Sequence, residues 1–466
     1  MTDADLQKKW AGLYDIVPEQ LNKVKQINSV ATAFNTNIDA VLKISGRRIA
    51  ELAEKVGLTA ADLADDKTQI DCAKDVVRGI VKCFGKGIAE EWLCEKSEVY
   101  HWMNDNIGYD RLQMGGQGGI VANTMAIVGV QKVYAHTNSH PALQSEQFLD
   151  LDNLIGFDEN GRPQKAVLID RVTEDPLVHW IIEFDVGDET VIDGQKFKCP
   201  KSNRFIATYD PANIELKIDA GFVNYLNENG YDYLILSGYH NLTSERGGVE
   251  KVIENAETVN KWHKINPQGI IHLELASTQD KAVRRAIIEH IAPLVDSIGL
   301  NEREALDALE VIDSEMYAEV KKQELTSAVL FKVVERIKQS VKVPRIQLHM
   351  FGLYITLQDK DFRISPEANR NGMMLAATLA ATKCGIGNLN EYDNLLWAYG
   401  SAVSEKSLNA LMMLSNVLNL PTLLTDGIAP YNEFEIIAVP TILIDKPLTL
   451  VGMGDTISSV SLVGAR

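Results

Sequence analysis

Pro447-Leu448-Thr449-Leu450-Val451-Gly452-Met453-Gly454-Asp455-Thr456-Ile457-Ser458 is an apolar run that turns through two glycines into small residues able to open a helix. Strand, turn and helix in that order form the repeating unit of an α/β fold. Gly452 and Gly454 let the backbone approach a ligand closely. Free N–H groups at a helix N-terminus attract an anion such as phosphate. Asp455 stands at the same point, where a carboxylate is costly unless it has a task. Taking a proton from a hydroxyl that attacks a phosphate is one such task. The alternative is a tight turn with Asp455 as the helix N-cap.

Upstream, the alternation is regular. Tyr233–Gly238, Gly269–Leu275 and Leu294–Leu300 read as strands, each followed by a helical stretch, and Arg345–Thr356 reads as another strand before the helix at 366–382. This pattern predicts a parallel sheet wrapped by helices. Ser29–Phe34 reads as a first strand ending in Asn35-Thr36-Asn37-Ile38-Asp39. Polar residues at the carboxyl end of a first strand are where an open α/β sheet binds ligands. These amides and carboxylates suit sugar hydroxyls, or else an Asx turn.

Two stretches interrupt the pattern. Residues 40–108 read as helical and charged, with Glu90 and Glu91 candidates to face a ligand. Residues 164–213 read as β-rich, with Asp193-Gly194 a hairpin signal and Asn203-Arg204 its polar tip. The expected organisation is a large unit from 1–39, 109–163 and 214–466, with a smaller discontinuous α+β lid from 40–108 and 164–213. A lid beside a sheet excludes water from transfer chemistry.

Met114-Gly115-Gly116-Gln117-Gly118-Gly119 opens an apolar helix, with no strand read directly before it. It matches neither a dinucleotide fingerprint nor a Walker A loop, and suits close approach to a small polar ligand or tight helix packing. His272 and Glu274 point the same way along a strand. Asn301 and Glu304 share a helical face; with water they suit Mg²⁺, or they form a capping box.

The 466 residues are 45% hydrophobic and 24% charged, with a net charge of −18. That fits a globular protein with a large core and argues against non-specific nucleic-acid or anionic membrane binding. No secretory leader or membrane-spanning run is read, and the five cysteines (72, 83, 94, 199 and 384) form no Cys-x-x-Cys pair, which fits a reducing cytoplasm. Cys72, Cys83 and Cys94 are spaced to share a helix face. A monomer is expected, since the lid covers its own site.

Asn35–Asp39, Gly115–Gly119, His272-Leu273-Glu274, Asn301-Glu302-Arg303-Glu304 and Gly452-Met453-Gly454-Asp455 occur in that order. Together they resemble the ADP-dependent sugar kinases of archaea, phosphofructokinase and glucokinase, within the ribokinase-like superfamily. The resemblance implies a three-layer α/β/α large domain with a lid, and transfer of the ADP β-phosphoryl group to fructose 6-phosphate, or alternatively glucose, giving AMP. It implies Asp455 as base, Gly452 and Gly454 as the anion hole, and Arg204 beside the transferred phosphate. The sugar would lie against Asn35, Asn37, Asp39, Gly115, Gly116, Gln117, Glu90 and Asn203. His349, Val439, Pro440 and Gly452 would hold the nucleotide; Glu274, Asn301, Glu304 and Asp455 would hold Mg²⁺. Lys201, Arg204 and Arg171 are the cations available for a sugar phosphate. A non-catalytic sugar sensor or an ATP-dependent relative are the rival readings.

Overall fold

The structure is a computed structural model that describes residues 2–466. Its main sheet has eleven strands, which in spatial order begin at residues 428, 434, 353, 345, 297, 270, 233, 30, 133, 154 and 163. The seven strands from 345 to 154 in that order are mutually parallel. They are near-continuous apolar runs such as Tyr233–Leu236 and Ile270–Glu274, buried throughout, as expected of strands covered by helices on both faces. The strand Val30–Ala33 lies between the strands beginning at 233 and 133, so the chain builds outward from it in both directions. That is a topological switch point, and the loop after it opens into a crevice.

The sheet departs from the parallel expectation at both edges: Pro163–Lys165 pairs antiparallel with Leu154–Phe157 at one, and the other is more extensive. Arg345–Thr356 is two strands, Arg345–Met350 and Leu353–Asp359, folded back through Phe351-Gly352. Phe434–Pro440 and Ile428–Tyr431 continue the antiparallel edge. Residues 448–451 form no strand: Leu448 and Leu450 are exposed, in a long connection from Pro440 to the last helix, Met453–Val463. The apolar run that reads as a strand belongs to a surface loop beside the site.

A second sheet of five strands has the order 90–94, 203–209, 178–184, 37–43 and 111–115. Val178–Phe184 shows how it is built. Val178, Trp180, Ile182 and Phe184 are buried in a core shared with helices Gly46–Val56 and Ala73–Lys86, while His179, Ile181 and Glu183 alternate to the other face. The expected lid limits at 40 and 108 cut through this sheet, because Asn37–Lys43 and Arg111–Gly115 pair within it. A strand therefore does precede the glycine run at 115–119. Asp193 and Gly194, both at positive φ, close the expected hairpin. Residues 166–168 form a 3₁₀ turn rather than a strand. Cys72 precedes the helix that holds Cys83, and Cys94 ends a strand, so the three share no helix face; all five cysteines are free.

The last helix is locked to the long helix Pro366–Ile386 by close backbone approach. A Cβ at Gly372 would collide with the Ser461 carbonyl and lie 2.8 Å from the Ala465 nitrogen. Gly372→Val is expected to lower unfolding stability by about 1–3 kcal/mol, read as a fall in the urea midpoint; an unchanged midpoint would show that the two helices separate freely.

Candidate active site

The crevice after Val30–Ala33 is closed by the glycine run. Gly116, at φ +72°, caps the helix Gln117–Ile127, and the Gly118 amide donates to the Asn35 carbonyl at 2.7 Å. A Cβ at Gly116 would come within 2.6 Å of the Asn35 carbonyl oxygen, and one at Gly115 would strike Asp39 and Asn37. Gly116 is required by close approach of two backbones, and Gly115 by the side chains of Asn37 and Asp39 that press on it. Gln117 then ties three elements together: its amide nitrogen donates to Asp455 Oδ1 at 3.0 Å, and its oxygen accepts from the Gly238 amide at 3.3 Å.

A cavity of about 210 Å³ results, lined by Asn35, Asn37, Asp39, Gly116, Gln117 and Asp455 together with Glu91, His179, His240, Ile181 and Ile206 from either side. Its polar groups are held in place. Asn37 donates to Asp39 at 3.1 Å, and Asn213 donates to Asn35 Oδ1 at 3.0 Å. Thr208 donates to Glu91 at 2.6 Å, and His179 Nε2 pairs with Asp210 at 3.0 Å. Burial pushes Asp39 up to about 6, against the nearby His179. Burial pulls His179 down, but the Asp210 hydrogen bond and the charges of Asp210, Glu91 and Asp39 outweigh it and raise the imidazole to about 8. Asn37 Oδ1 is buried without a partner. Fixed acceptors, amide donors and imidazole around a small polar space suit a polyhydroxylated ligand.

On the far side of Asp455 lies a second cluster. Ligand atoms of Glu274, Glu304 and His349 all lie within 4.8 Å of one another. Glu304 is also the N3 residue of a capping box, its carboxylate accepting from Asn301 N at 2.8 Å and Asn301 Nδ2 at 2.9 Å. Glu274 sits at 3.3 Å from His272 Nε2, which meets Ser458 Oγ at 2.8 Å; His272 Nδ1 meets Ser297 Oγ at 2.9 Å. Burial, then the charges of Glu304 and Asp455, hold Glu274 well above the usual carboxylate range. Burial, with Asp455 and Asp307 nearby, raises Glu304 to about 8. Burial also raises Asp455, opposed by the Gln117 hydrogen bond and Lys383. His349 is held down to about 4 by burial, and neither ring nitrogen has a hydrogen-bond partner. Gly454 lies against this cluster, its Cβ position 3.0 Å from His349 Nε2.

Asn35, Asn37, Asp39, Gly115, Gly116, Gln117 and Asp455 thus come together. So, in the adjoining cluster, do Glu274, Glu304, His349 and Gly454. Gly452 is the N-cap of the last helix, at φ +61°, and Asp455 is its third residue rather than its cap. Other expected residues fall elsewhere. Glu90 is on the wrong face of its strand, accepting from Trp92 Nε1 at 2.8 Å; Glu91 faces the cavity. Alternation outward from the buried Trp92 is the sequence signal that separates them. Asn203 turns to the outer face and donates to the Gly87 carbonyl at 3.1 Å, at the end of a helix. Arg204 lies on the same face as Ile206 and Thr208 but is exposed and beyond the cavity. Arg171 is buried in the large unit, donating to the Phe157 carbonyl and to Asp219, both at 2.7 Å, and Lys201 stands exposed beside Gly87. Asn301 Oδ1 is turned into its helix toward the Arg303 and Glu304 amides, so it is not free for a metal. Val439 and Pro440 end a buried strand opposite Tyr354 and Leu353. His179 and His240 carried no signal in the sequence, since their approach comes from tertiary packing alone.

A switch-point crevice with this glycine run, this helix-terminal aspartate and this carboxylate cluster defines the class: an α/β phosphotransferase-type fold with a sheet-bearing lid. The chain belongs to the ADP-specific phosphofructokinase/glucokinase family, whose conserved region matches residues 28–464. It is 31% identical to the ADP-dependent glucose/glucosamine kinase of Pyrococcus abyssi, over 97% of this chain and 98% of that protein. It is 27% identical to the ADP-specific phosphofructokinase of Methanosarcina acetivorans, over 94% and 93% respectively. A solved ADP-dependent kinase complex with fructose-6-phosphate and ADPbetaS superposes with a TM-score of 0.80 at 28% identity, covering 100% of this chain and 98% of that one. A reconstructed common ancestor of ADP-dependent phosphofructokinases from Methanosarcinales gives 0.86 at 29% identity, covering 100% and 99%. Among the described residues no helix is long and apolar enough to cross a membrane.

The carboxylate cluster has a measurable signature. Glu304 binds its proton more tightly folded, at about 8, than at its ordinary 4.5. Its contribution to stability is therefore full below about pH 4.5 and is lost as pH rises through about 8. In metal-free buffer Glu304→Gln, which retains a capping residue, is expected to flatten that loss in urea titrations across the range. An unchanged slope would mean that Glu304 is ionised in the folded protein throughout.

Proposed function

We propose that this protein is an ADP-dependent sugar kinase that transfers the terminal phosphoryl group of ADP to a hydroxyl of fructose 6-phosphate, releasing fructose 1,6-bisphosphate and AMP. The observation that carries the reading is the placement of Asp455. Its carboxylate lines the polar cavity, held by Gln117, while the start of its own helix at Gly452–Gly454 adjoins the Glu274–Glu304–His349 cluster. A sugar hydroxyl on one side and a phosphate chain on the other would meet at that residue. Asp455 would take the hydroxyl proton, and the amides at the helix start would receive the charge of the transferred group. Arg204, exposed on the cavity-facing side of its strand, would reach the phosphates as the lid approaches.

The donor set also fits a divalent cation. Burial raises both Glu274 and Glu304, with Glu304 and Asp455 adding at Glu274 and Asp455 and Asp307 adding at Glu304, and both offer oxygen. A bound Mg²⁺ would be held by these carboxylates, and it supplies charge neutralisation on the diphosphate. His349, neutral and without partners, would then be free to meet the nucleotide. Val439 and Pro440, at the end of the neighbouring antiparallel strand, would stand behind the base. A small-molecule kinase with five free cysteines is at home in the cytoplasm.

A specific observation favours glucose as a second acceptor. The residues lining the cavity include Asp39 and Glu91 but neither lysine nor arginine, and Ile181 and Ile206 occupy the cavity-facing positions beside them. A sugar phosphate would have to find its cation in His179 or in Arg204 at the rim. A neutral hexose needs only the carboxylates and amides already there.

Release of AMP from Mg-ADP with each sugar, against an Mg-ATP control, tests the reading. AMP with neither sugar would overturn it. Asp455→Asn is expected to cut kcat by about 10³-fold or more with a small change in sugar KM, and near-normal turnover would remove it as the base. Arg204→Ala should reduce fructose 6-phosphate turnover more than glucose turnover if it contacts the sugar phosphate; equal losses would place it on the nucleotide.

A further inference from the structure

Among the described residues, Lys383 is the strongly basic side chain set directly behind the glycine turn. It lies in the last turn of the helix Pro366–Ile386, whose C-terminus favours a cation. Its ammonium donates to the Gly452 carbonyl at 3.2 Å and to Thr456 Oγ1 at 3.2 Å. Thr456 itself donates to the same carbonyl from Oγ1 at 2.8 Å and from its amide at 3.1 Å. Three donor groups thus converge on one carbonyl. That carbonyl belongs to the residue at φ +61° from which the last helix starts. Ile120 also presses on Gly452, its Cδ1 2.7 Å from where a Cβ would lie, with the Lys383 ammonium 3.2 Å from the same point.

Both hydrogen-bond partners of Lys383 are neutral. A half-buried ammonium held only by neutral groups carries a desolvation cost, and that cost is offset when an anion arrives within reach of its field. The anions of this site are Asp455, one turn away, and the phosphoryl group that the turn would receive. Burial draws Lys383 down to about 8, with Asp455 pulling the other way, which leaves it protonated near neutral pH.

We propose that Lys383 is a positioning residue for phosphoryl transfer: it fixes the Gly452 carbonyl away from the site, so that the following amides face the incoming group, and it supplies positive charge behind them. The proposal rests on the reading of the Gly452–Asp455 turn as the phosphoryl site. The same residue borders a cleft of about 310 Å³, between the helix at 117–127, the loop at 146–149 and the loop at 387–390, whose lining shares only Ile120 and Val451 with the sugar cavity. A small amine can reach the place of a deleted ammonium from that cleft.

The test compares the wild-type chain with Lys383→Met, Lys383→Arg and Lys383→Ala in AMP release, with folding checked by thermal melting and sugar binding by calorimetry. Lys383→Met keeps the length and removes the charge. It is expected to lose about a hundredfold in kcat while the sugar Kd stays within about threefold of wild type. Lys383→Arg should recover part of the loss, and millimolar methylammonium or ethylammonium should restore Lys383→Ala by about tenfold, where the neutral ethanol should not. Lys383→Met within about threefold of wild-type kcat would overturn the proposal while leaving the kinase reading intact. A loss in Lys383→Ala that Lys383→Met does not share would also overturn it, since shape rather than charge would then be at work. A wild-type chain that forms no AMP with either sugar would overturn both.

Discussion

Three carboxylates that repel one another are the constraint on which this site depends. Burial disfavours the charged form of Glu274, Glu304 and Asp455 alike; Glu304 and Asp455 add to the effect at Glu274, and Asp455 adds to it at Glu304. The fold holds them there by fixing every one from behind. Glu304 is bound into its own helix cap by Asn301. Glu274 is backed by His272, which is clamped between Ser458 and Ser297, and Ser297 in turn accepts from the buried Arg345 at 2.8 Å. Asp455 is held by Gln117. Groups anchored so firmly cannot relax apart, and arriving countercharge is what lets them ionise together. Preorganisation of this kind is what phosphoryl transfer asks of a protein, since little covalent chemistry falls to it.

The two sheets divide the work around this point. The large sheet supplies the acid cluster from the carboxyl ends of adjacent parallel strands, where backbone geometry brings side chains together without long loops. The smaller sheet presents one face of alternating residues, with Glu91, His179, Ile181, Ile206 and Thr208 toward the cavity and Trp92, Trp180, Ile182 and Phe205 into its own core. Strand Asn37–Lys43 begins two residues after Asn35, so the chain passes from the switch point of one sheet directly into the other. Asn35, Asn37 and Asp39 therefore form a hinge of acceptor groups shared by both units.

Much of this was legible in the sequence, for physical reasons that differ between elements. The parallel strands announced themselves because buried strands are continuous apolar runs between helices. The glycines at 115–116 and 452–454 were legible because close backbone approach and positive φ leave few alternatives. The residues alone leave Glu90 and Glu91 both open and the resemblance singles out Glu90, because position along a strand does not reveal its face until a buried neighbour, here Trp92, fixes the phase. Asn203 was misassigned for the same reason. Arg171 looked like a free cation in an insertion and proved to be a structural one, consumed by Phe157 and Asp219, contacts at distances of 14 and 48 residues along the chain. His179, His240 and Lys383 were invisible because nothing local marks them; only packing brings them to the site.

The stretch 448–451 carries the most instructive error. Its hydrophobic residues suggested a strand feeding the glycine turn, which would have fixed that turn by sheet hydrogen bonds. The chain instead arrives through a long loop with Leu448 and Leu450 exposed. No ladder positions the turn, so its placement must come from side-on contacts. Ile120 presses Gly452 from the helix of the glycine run, and Lys383 grips its carbonyl from the long helix that packs along the last one. Gln117, three residues before Ile120, holds Asp455 from that same glycine-run helix. The reactive turn is thus set by two helices rather than by the strand before it. A shift of either helix would move the anion-binding amides and the base together, keeping their mutual geometry while changing their reach toward the sugar cavity.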